Sequence, residues 1–311
     1  MHRLSWIAVA FIVMANAVDC TAQQKGQWVP GQYGLNAGVV PEPGFTYQNL
    51  AINYSADALN DANGNRLPGV TGTYEFWVDE NIFMFVPKKK ILGGYFAPFA
   101  SVNVANGSLV ADVGNVFGTS AGGAGLADTL VSPVNFGWHF SRADFSVGYA
   151  FLAPTGRFTA GASNNVGSGY WGNSLISGTT VYLTKNKGTS ANLFVVWEGH
   201  GKKSGTNITP GQAFTTEWGL GQALPLDKKM HKLLQIGLVG YDQWQVSDNG
   251  GITTIFPHYS VHALGFQTNF IVPAKGLNFF FKYYGEYSAL SRPQGRTIVF
   301  GGSWTLKIPR K

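Results

Sequence analysis

Apolar and polar residues alternate with a period of two along much of the chain. The clearest example is "LNFFFKYYGEYSAL" at residues 277–290. In a β-strand, successive side chains point to opposite faces. Phe279 and Phe281 would then lie on an apolar face, whereas Lys282 and Glu286 would lie on the other face. Such a strand fits a boundary with an apolar medium on one side and water on the other.

The same period predicts twelve strands along the chain. They are expected at 45–55, 72–86, 91–104, 128–140, 144–154, 174–184, 191–199, 214–225, 232–245, 258–272, 277–290 and 296–308. Short turns alternate with long connections that are mostly rich in glycine and asparagine. This rhythm is typical of a membrane barrel with short periplasmic turns and long extracellular loops. We predict an all-β fold, a transmembrane antiparallel up-and-down β-barrel of about 12 strands, across residues 45–311.

The polar faces of these strands are predicted to line the lumen. A soluble barrel would have the reverse arrangement, but side chains fill a barrel of about eight strands, and twelve strands leave too wide an interior. The predicted lumen-facing track for a solute consists of Glu75, Trp77, Asp79, Glu217, Lys282, Tyr284 and Glu286. Its aromatic faces would accept apolar solutes while its polar groups retain water. Alternatively, its opposite charges pair and only brace the wall.

The composition argues against a soluble protein and against a nucleic-acid partner. Charged residues make up 12% of the chain, whereas ordinary soluble proteins contain roughly 25%. Beyond the N-terminal segment, no stretch approaches the roughly 18 consecutive apolar residues of a membrane helix, which excludes helical spanning. The net charge of +6 comes from basic residues that are scattered along the chain. No nucleic-acid binding is therefore expected.

The N-terminus predicts export. A basic start, a short apolar run and small residues before Gln23 indicate a signal peptide at residues 1–22. The alternative is lipoprotein processing at Cys20, which Asp19 disfavours. Cleavage after Ala22 would leave no cysteine in the mature chain, which excludes a disulfide scaffold and a thiolate zinc site.

Residues 23–44 are predicted to form a separate N-terminal segment. Their many glycines and prolines resist regular helix or strand. Trp28, Tyr33 and Leu35 give the segment apolar groups that gain by leaving water. The interior of a twelve-stranded barrel is wide enough to admit such a peptide. Two interpretations stay open, a plug in the lumen and a disordered periplasmic tail.

Two stretches carry a family resemblance. They are "WVPGQYGLNAGVVPEPGFTYQNLAINYSADALNDANGN" at 28–65, and "ILGGYFAPF" followed by "GLADTLVSPVNFGWHFSRADFSVGYAFLAPTGRF" within 91–158. The signatures "PEPGF", "GLAD" with "SPV", and "APTGRF" resemble the outer-membrane β-barrel family named for the meta-pathway of phenol degradation. The resemblance covers about half of the chain and implies a transporter-like barrel for small aromatic or hydrophobic compounds. It carries over no catalytic residues.

These observations together predict a function and a location. We expect a bacterial outer-membrane channel for passive uptake of small hydrophobic or aromatic compounds, surrounded by outer-membrane lipid. The outer-membrane insertion machinery would place it there, although the chain ends on Lys311 instead of the terminal aromatic residue that this machinery commonly reads. The alternative is a structural or surface-interaction barrel with a closed lumen.

No catalytic, cofactor-binding or metal-binding residues are predicted. His258 and His262 lie too far apart on a strand to share a metal ion, since four residues span roughly 13 Å. A hydrolase would need a Ser and a His within hydrogen-bond reach, and no local sequence pattern pairs them, so no hydrolase is expected. The run "GNVFGTSAGGAG" at 114–125 lacks the Lys-Ser/Thr of a phosphate loop and is predicted as a flexible outer loop.

Overall fold

The computed structural model describes residues 26–113, 117–252 and 257–307. The predicted signal peptide, its cleavage site after Ala22, and Lys311 lie outside the described residues. Within the ranges that the structure describes, no helix is long and apolar enough to cross a membrane.

Fifteen β-strands form within these ranges, and a 3₁₀ turn spans Pro273–Lys275. The strands are β1 (Gly44–Leu59), β2 (Val70–Val86), β3 (Lys90–Ile91), β4 (Gly94–Phe96), β5 (Phe99–Val113), β6 (Phe117–Leu126), β7 (Thr129–His139), β8 (Ala143–Ala153), β9 (Gly172–Tyr182), β10 (Thr189–His200), β11 (Ala213–Pro225), β12 (Leu233–Gln245), β13 (Ser260–Val272), β14 (Leu277–Leu290) and β15 (Pro293–Lys307). Period-two alternation therefore located nearly every strand, and β6 is the exception.

The strands close into one antiparallel barrel. Neighbours follow the chain from β7 to β15; β15 then pairs with β1, β1 pairs with β2, and β2 pairs with β5. β4 and β5 occupy one position in the ring, β6 and β7 occupy another, and β3 is a short flap on β4. The fifteen described strands thus make a twelve-stranded ring, closed where β7 pairs with β4 and β5. The predicted twelve-stranded up-and-down barrel is confirmed.

The main difference from the predicted fold is the hairpin of β5 and β6. The sequence predicts a loop at 105–127, yet β5 continues to residue 113, and its residues 104–113 pair with all of β6. The prediction of a flexible loop at 114–125 is therefore wrong for its described part. A Cβ atom at Gly123 would lie 2.5 Å from the carbonyl oxygen of Asn164. The missing side chain lets the connection between β8 and β9 pack directly on β6.

The outward face of the barrel is apolar around most of its circumference. On β14, Phe279 is 53% exposed and Phe281 is 40% exposed, whereas Lys282 is only 3% exposed. Leu238 on β12 and Phe266 on β13 are exposed in the same way. An apolar outer surface around a polar interior is the arrangement that a lipid bilayer requires. We call the end with connections such as 140–142 and 273–276 the turn end, and the opposite end the loop end.

Candidate functional site

Residues 26–43, here called the lumen segment, lie inside the barrel. The first of them contact Glu198 near the loop end. Near the turn end, the backbone N–H of Gly38 donates a hydrogen bond to the Thr180 hydroxyl at 3.0 Å. The segment therefore passes along the lumen from one end to the other before it joins β1.

A buried carboxylate binds the loop-end part of the lumen segment. Oε1 of Glu198 on β10 accepts hydrogen bonds from the backbone N–H groups of Gln27 at 3.0 Å and Trp28 at 2.8 Å. The amide of Gln243 donates to the carbonyl oxygen of Trp28 at 3.1 Å. Both Glu198 and Gln243 are buried. These bonds replace the hydrogen bonds to water that the backbone loses when it is buried.

Glu217 of β11 binds the middle of the lumen segment. Its Oε1 accepts a hydrogen bond from the indole N–H of Trp28 at 2.8 Å, and its Oε2 accepts one from the backbone N–H of Tyr33 at 2.7 Å. The Tyr33 ring stacks on Phe194 of β10, with centroids 3.6 Å apart and planes 6° apart. One carboxylate therefore fixes two residues of the segment that are separate along the chain.

A buried lysine on β14 binds the middle of the lumen segment from the side opposite Glu217. The Lys282 ammonium on β14 donates hydrogen bonds to the carbonyl oxygens of Gly31 at 3.3 Å, Gln32, and Tyr33 at 3.0 Å. The Tyr284 hydroxyl also donates to the Tyr33 carbonyl oxygen, at 3.0 Å. The carbonyl oxygens of the segment thus replace the water molecules that would otherwise hydrate the ammonium group.

Amide and hydroxyl side chains bind the part nearest the turn end. The backbone N–H of Leu35 donates a hydrogen bond to the Gln267 side chain at 3.0 Å. The backbone N–H of Asn36 donates to the Asn192 side chain at 2.9 Å, and the Asn36 side-chain amide donates to Gln235 at 2.8 Å. The Leu35 side chain lies against glycines of β11 and β12. A Cβ atom at Gly221 or Gly237 would approach Leu35 Cδ2 to 2.8 Å. These glycines make room for a leucine that enters the wall.

Glu286 is inside the barrel but takes no part in these contacts. It accepts hydrogen bonds from the hydroxyl groups of Tyr54 and Tyr241, each at 3.0 Å. Arg292 forms a salt bridge with it at 3.5 Å. Of the predicted lumen residues, Glu217, Lys282 and Tyr284 contact the lumen segment. Glu286 instead connects strands of the barrel wall near the loop end.

On β2 the structure reverses the predicted faces. Phe76 is 4% exposed, and Trp77 is 44% exposed. Phe76 lies opposite Tyr54 of β1, and the Tyr54 hydroxyl reaches Glu286 inside the barrel. The even-numbered side chains of β2 therefore point inward. The predicted lumen positions are wrong for Glu75, Trp77 and Asp79.

The reversal has a physical cause in the lumen segment. Val29 of the segment packs against the inner apolar clusters that contain Ile52, Phe76 and Val78. An apolar inner wall is stable there because it is covered by apolar atoms and not by water. On the outside, Glu75 accepts a hydrogen bond from Asn53 of β1 at 3.0 Å.

A cavity of about 140 Å³ remains beside the lumen segment. Its apolar lining comes from both the segment and the wall and includes Trp28, Val29, Ile52, Phe76, Val78 and Leu130. Three acidic side chains, Glu80, Asp128 and Glu198, also line it. Apolar cavities of roughly 150 Å³ take up benzene. The space is therefore of the right size for one monocyclic aromatic molecule.

The histidines form local pairs. His258 lies 2.8 Å from an Asp248 carboxylate oxygen, and His262 lies 2.7 Å from one of Asp242. Across the part of the chain that the structure describes, no group of three or more His, Cys, Asp or Glu side chains could hold a metal ion.

Several residues bind the lumen segment from strands other than β11 and β14, and sequence reasoning missed them. Glu198 is the clearest case, since it is an acidic residue on the same strand face as the apolar Phe194 and Val196. A charge on an otherwise apolar, buried face was the available signal. Its partner, the backbone of residues 27 and 28, is about 170 residues away and leaves no trace in the local pattern.

The comparisons with known proteins agree with this architecture. The family model described as "Putative MetA-pathway of phenol degradation" matches residues 56–300. Among curated protein sequences, none matches the chain.

Two solved structures share the fold at low sequence identity. The COG4313 outer membrane channel from Pseudomonas putida F1 is 14% identical, with a TM-score of 0.65, and the match covers 90% of this chain and 100% of that chain. The beta domain of the Bordetella autotransporter BrkA is 10% identical, with a TM-score of 0.53, covering 85% of this chain and 100% of that chain. The fold is thus that of an outer-membrane β-barrel.

Proposed function

The chain belongs to the family of the MetA-pathway of phenol degradation, and we propose that it is a bacterial outer-membrane channel for passive uptake of small hydrophobic or aromatic compounds. The cavity of about 140 Å³ carries this proposal. It lies in the lumen, its lining is mostly apolar, and its volume suits one aromatic ring. The similar Pseudomonas putida protein is itself an outer membrane channel.

The lumen segment is proposed to restrict this channel. It passes through the whole lumen, and the cavity opens along the side where its Trp28 and Val29 face the apolar wall. Solutes would pass between the segment and that wall. Among the described residues, the charged side chains that line the cavity are Glu80, Asp128 and Glu198. Entry then costs an apolar molecule little free energy, whereas it is unfavourable for an ion, which would lose its hydration.

Transport would require no chemistry from the protein. We propose that the chain is not an enzyme and that its partners are outer-membrane lipid, small hydrophobic solutes and the outer-membrane insertion machinery. The apolar outward face supports the first partner, and the apolar cavity supports the second.

A second candidate function is a structural or surface-interaction barrel with a closed lumen. The extensive hydrogen bonding of the lumen segment favours it, because a firmly held segment could block the barrel permanently. The two functions differ in whether a solute can pass.

Deletion of residues 26–42 separates the two functions. For a channel, the wild-type protein admits a neutral monocyclic aromatic into vesicles, and the deletion raises ion conductance and weakens discrimination among solutes. A wild-type barrel that admits no solute would favour the structural alternative. Unchanged conductance in a correctly folded deletion variant would contradict restriction by the segment.

A further inference from the structure

The outward face of β1 and β2 carries a polar group of side chains where lipid is expected. We call it the polar stripe: Asn49 and Asn53 on β1, and Glu75, Trp77, Asp79 and Asn81 on β2. The register places the two strands side by side, with Asn53 opposite Trp77 and Asn49 opposite Asn81. The other walls expose apolar residues such as Leu238, Phe266 and Phe281 on the corresponding face.

The side chains of the stripe bind one another across the two strands. The Asn49 amide donates to Asp79, and the Asn53 amide donates to Glu75 at 3.0 Å. The indole N–H of Trp77 donates to Glu75 at 3.2 Å. Within the described residues, no salt bridge joins either carboxylate to a basic side chain. Each carboxylate therefore keeps acceptor capacity that its own barrel does not use.

The stripe reaches the middle of the membrane. Exposed Phe45, Phe83 and Phe85 lie at its turn end, where aromatic residues are typical of the membrane boundary. A tilted strand climbs roughly 2.5 Å per residue along the barrel axis, so Asp79, which is opposite Ala51, lies about 15 Å beyond Phe45. The apolar band of such barrels is about 25 Å tall. Lipid chains therefore do not suit this part of the wall, because they offer no hydrogen bonds.

We propose that the polar stripe is an interface with a second copy of this chain. In the same membrane, a second copy presents its stripe at the same depth. A two-fold axis along the membrane normal between β1 and β2 sets the β1 strand of one barrel against the β2 strand of the other. The amide donor of Asn49 then faces the acceptor carboxylates of Glu75 and Asp79 of the second copy, while Asn53 is buried and binds Glu75 of its own barrel. The stripe is thus complementary to itself, and Trp77 supplies a large aromatic contact.

This interface is independent of what the lumen carries. It lies on the outward face of the wall whose inner face borders the cavity. Residues on opposite faces of one strand can be changed separately. A failure of transport and a failure of association would therefore be distinguishable.

Chemical cross-linking tests the arrangement first. Ala51→Cys lies near the proposed axis, and Leu238→Cys lies on another wall as the matched control, both in a Cys20→Ser background. A short thiol cross-linker in outer membranes should give a species of twice the chain mass for Ala51→Cys and none for Leu238→Cys. Equal or absent cross-linking of both, or cross-linking of Ala51→Cys only to a different protein, would overturn the proposal.

Affinity in vesicles tests the chemistry. Proteins labelled with a fluorescence donor or acceptor at Lys228→Cys should associate, and Asn49→Leu with Asp79→Leu should raise the dimer dissociation constant at least tenfold. The control pair Leu238→Ala and Phe266→Ala should change it less than twofold. A wild-type protein that does not associate, or equal effects of both pairs, would refute the interface. Should the leucine variant fail to fold, the Ala51→Cys experiment decides.

Discussion

The walls around β2 and β14 are built in opposite ways. On β14, phenylalanines face outward while Lys282 and Tyr284 face the lumen. On β2, Phe76 and Val78 face the lumen, while polar residues such as Asp79 face outward. Both strands alternate with the same period, so the period alone does not say which face is inside. The difference teaches that the contents of the lumen decide the inner face.

The lumen segment presents different groups to the two walls. Towards β14 it turns the backbone carbonyl groups of residues 31–33, which need donors once they are buried. Towards β1 and β2 it turns Val29, which needs apolar neighbours. A ring of twelve strands is too wide for its own side chains to fill. The segment fills part of that width and imposes a polar wall on one side and an apolar wall on the other.

The largest expected effect comes from the polar wall. Lys282→Met removes a charged donor from three carbonyl oxygens, and hydrogen bonds to charged groups contribute about 1.5–3 kcal/mol each. We expect the bound state of the lumen segment to lose roughly 3 kcal/mol or more. Hydrogen exchange at the amides of Tyr33 and Leu35 should accelerate about 100-fold or more, since each 1.4 kcal/mol is a factor of ten.

Lys228→Met, in an exposed turn, is the matched control and should leave that exchange unchanged. Unaltered exchange in Lys282→Met would mean that the ammonium does not hold the segment against the wall.

The next effect compares the outward faces directly. Phe281→Lys places a charge against lipid and should destabilise the folded barrel by about 2–4 kcal/mol near the midplane. Trp77→Lys places the same charge beside Glu75 and Asp79 and should cost about 1 kcal/mol or less, because the carboxylates compensate it. Folding titrations into lipid vesicles measure both. The opposite ranking would show that the faces of β2 and β14 are assigned incorrectly.

A smaller effect concerns the apolar wall alone. Val78→Phe adds a ring to the cavity lining and should lower vesicle uptake of a monocyclic aromatic severalfold. Because the cavity offers space for the ring, the loss of folding stability should stay below the roughly 1–3 kcal/mol that overpacking a filled core costs. Val104→Phe, on the outward face of β5, is the control of equal size and should leave uptake unchanged. Uptake that is equal in both variants would mean that solutes do not use this cavity.

The sequence predicted the fold far better than the candidate site. Alternation and loop lengths are local signals, and they were sufficient for the barrel and for nearly all its strands. They failed at β6, where glycines pair with β5 and leave room for the neighbouring connection at Asn164. That packing involves residues distant in sequence, so no local pattern announces it.

For the site, local reasoning was correct on β11 and β14, where charged residues lie on the strand face opposite an apolar face. Glu217, Lys282 and Tyr284 do lie inside. It fails at Glu75 and Asp79, because a polar strand face does not require water when Asn49 and Asn53 supply the hydrogen bonds. Whether the inner residues form a solute track stays a prediction.

The smallest expected effect lies at the ends of the barrel, in two exposed turns outside the membrane. Asp227, at the turn end, accepts backbone hydrogen bonds from His231, Lys232 and Lys229, and these hold the pKa of its carboxyl below its usual value. Asp61, at the loop end, is held in the same way, chiefly by the backbone N–H of Asn65.

A carboxyl whose pKa is lower in the folded state stabilises the fold above its unfolded value of about 3.9, and this contribution is lost as pH falls through the folded pKa. Asp227→Asn should therefore lower the urea midpoint of the vesicle-embedded barrel slightly at pH 7. The gap to the wild type should close at acidic pH, and Asp61→Asn should behave alike. A gap that persists after both carboxyls are protonated would mean that the turns depend on side-chain shape and not on charge, because asparagine keeps the acceptor oxygen but cannot ionise.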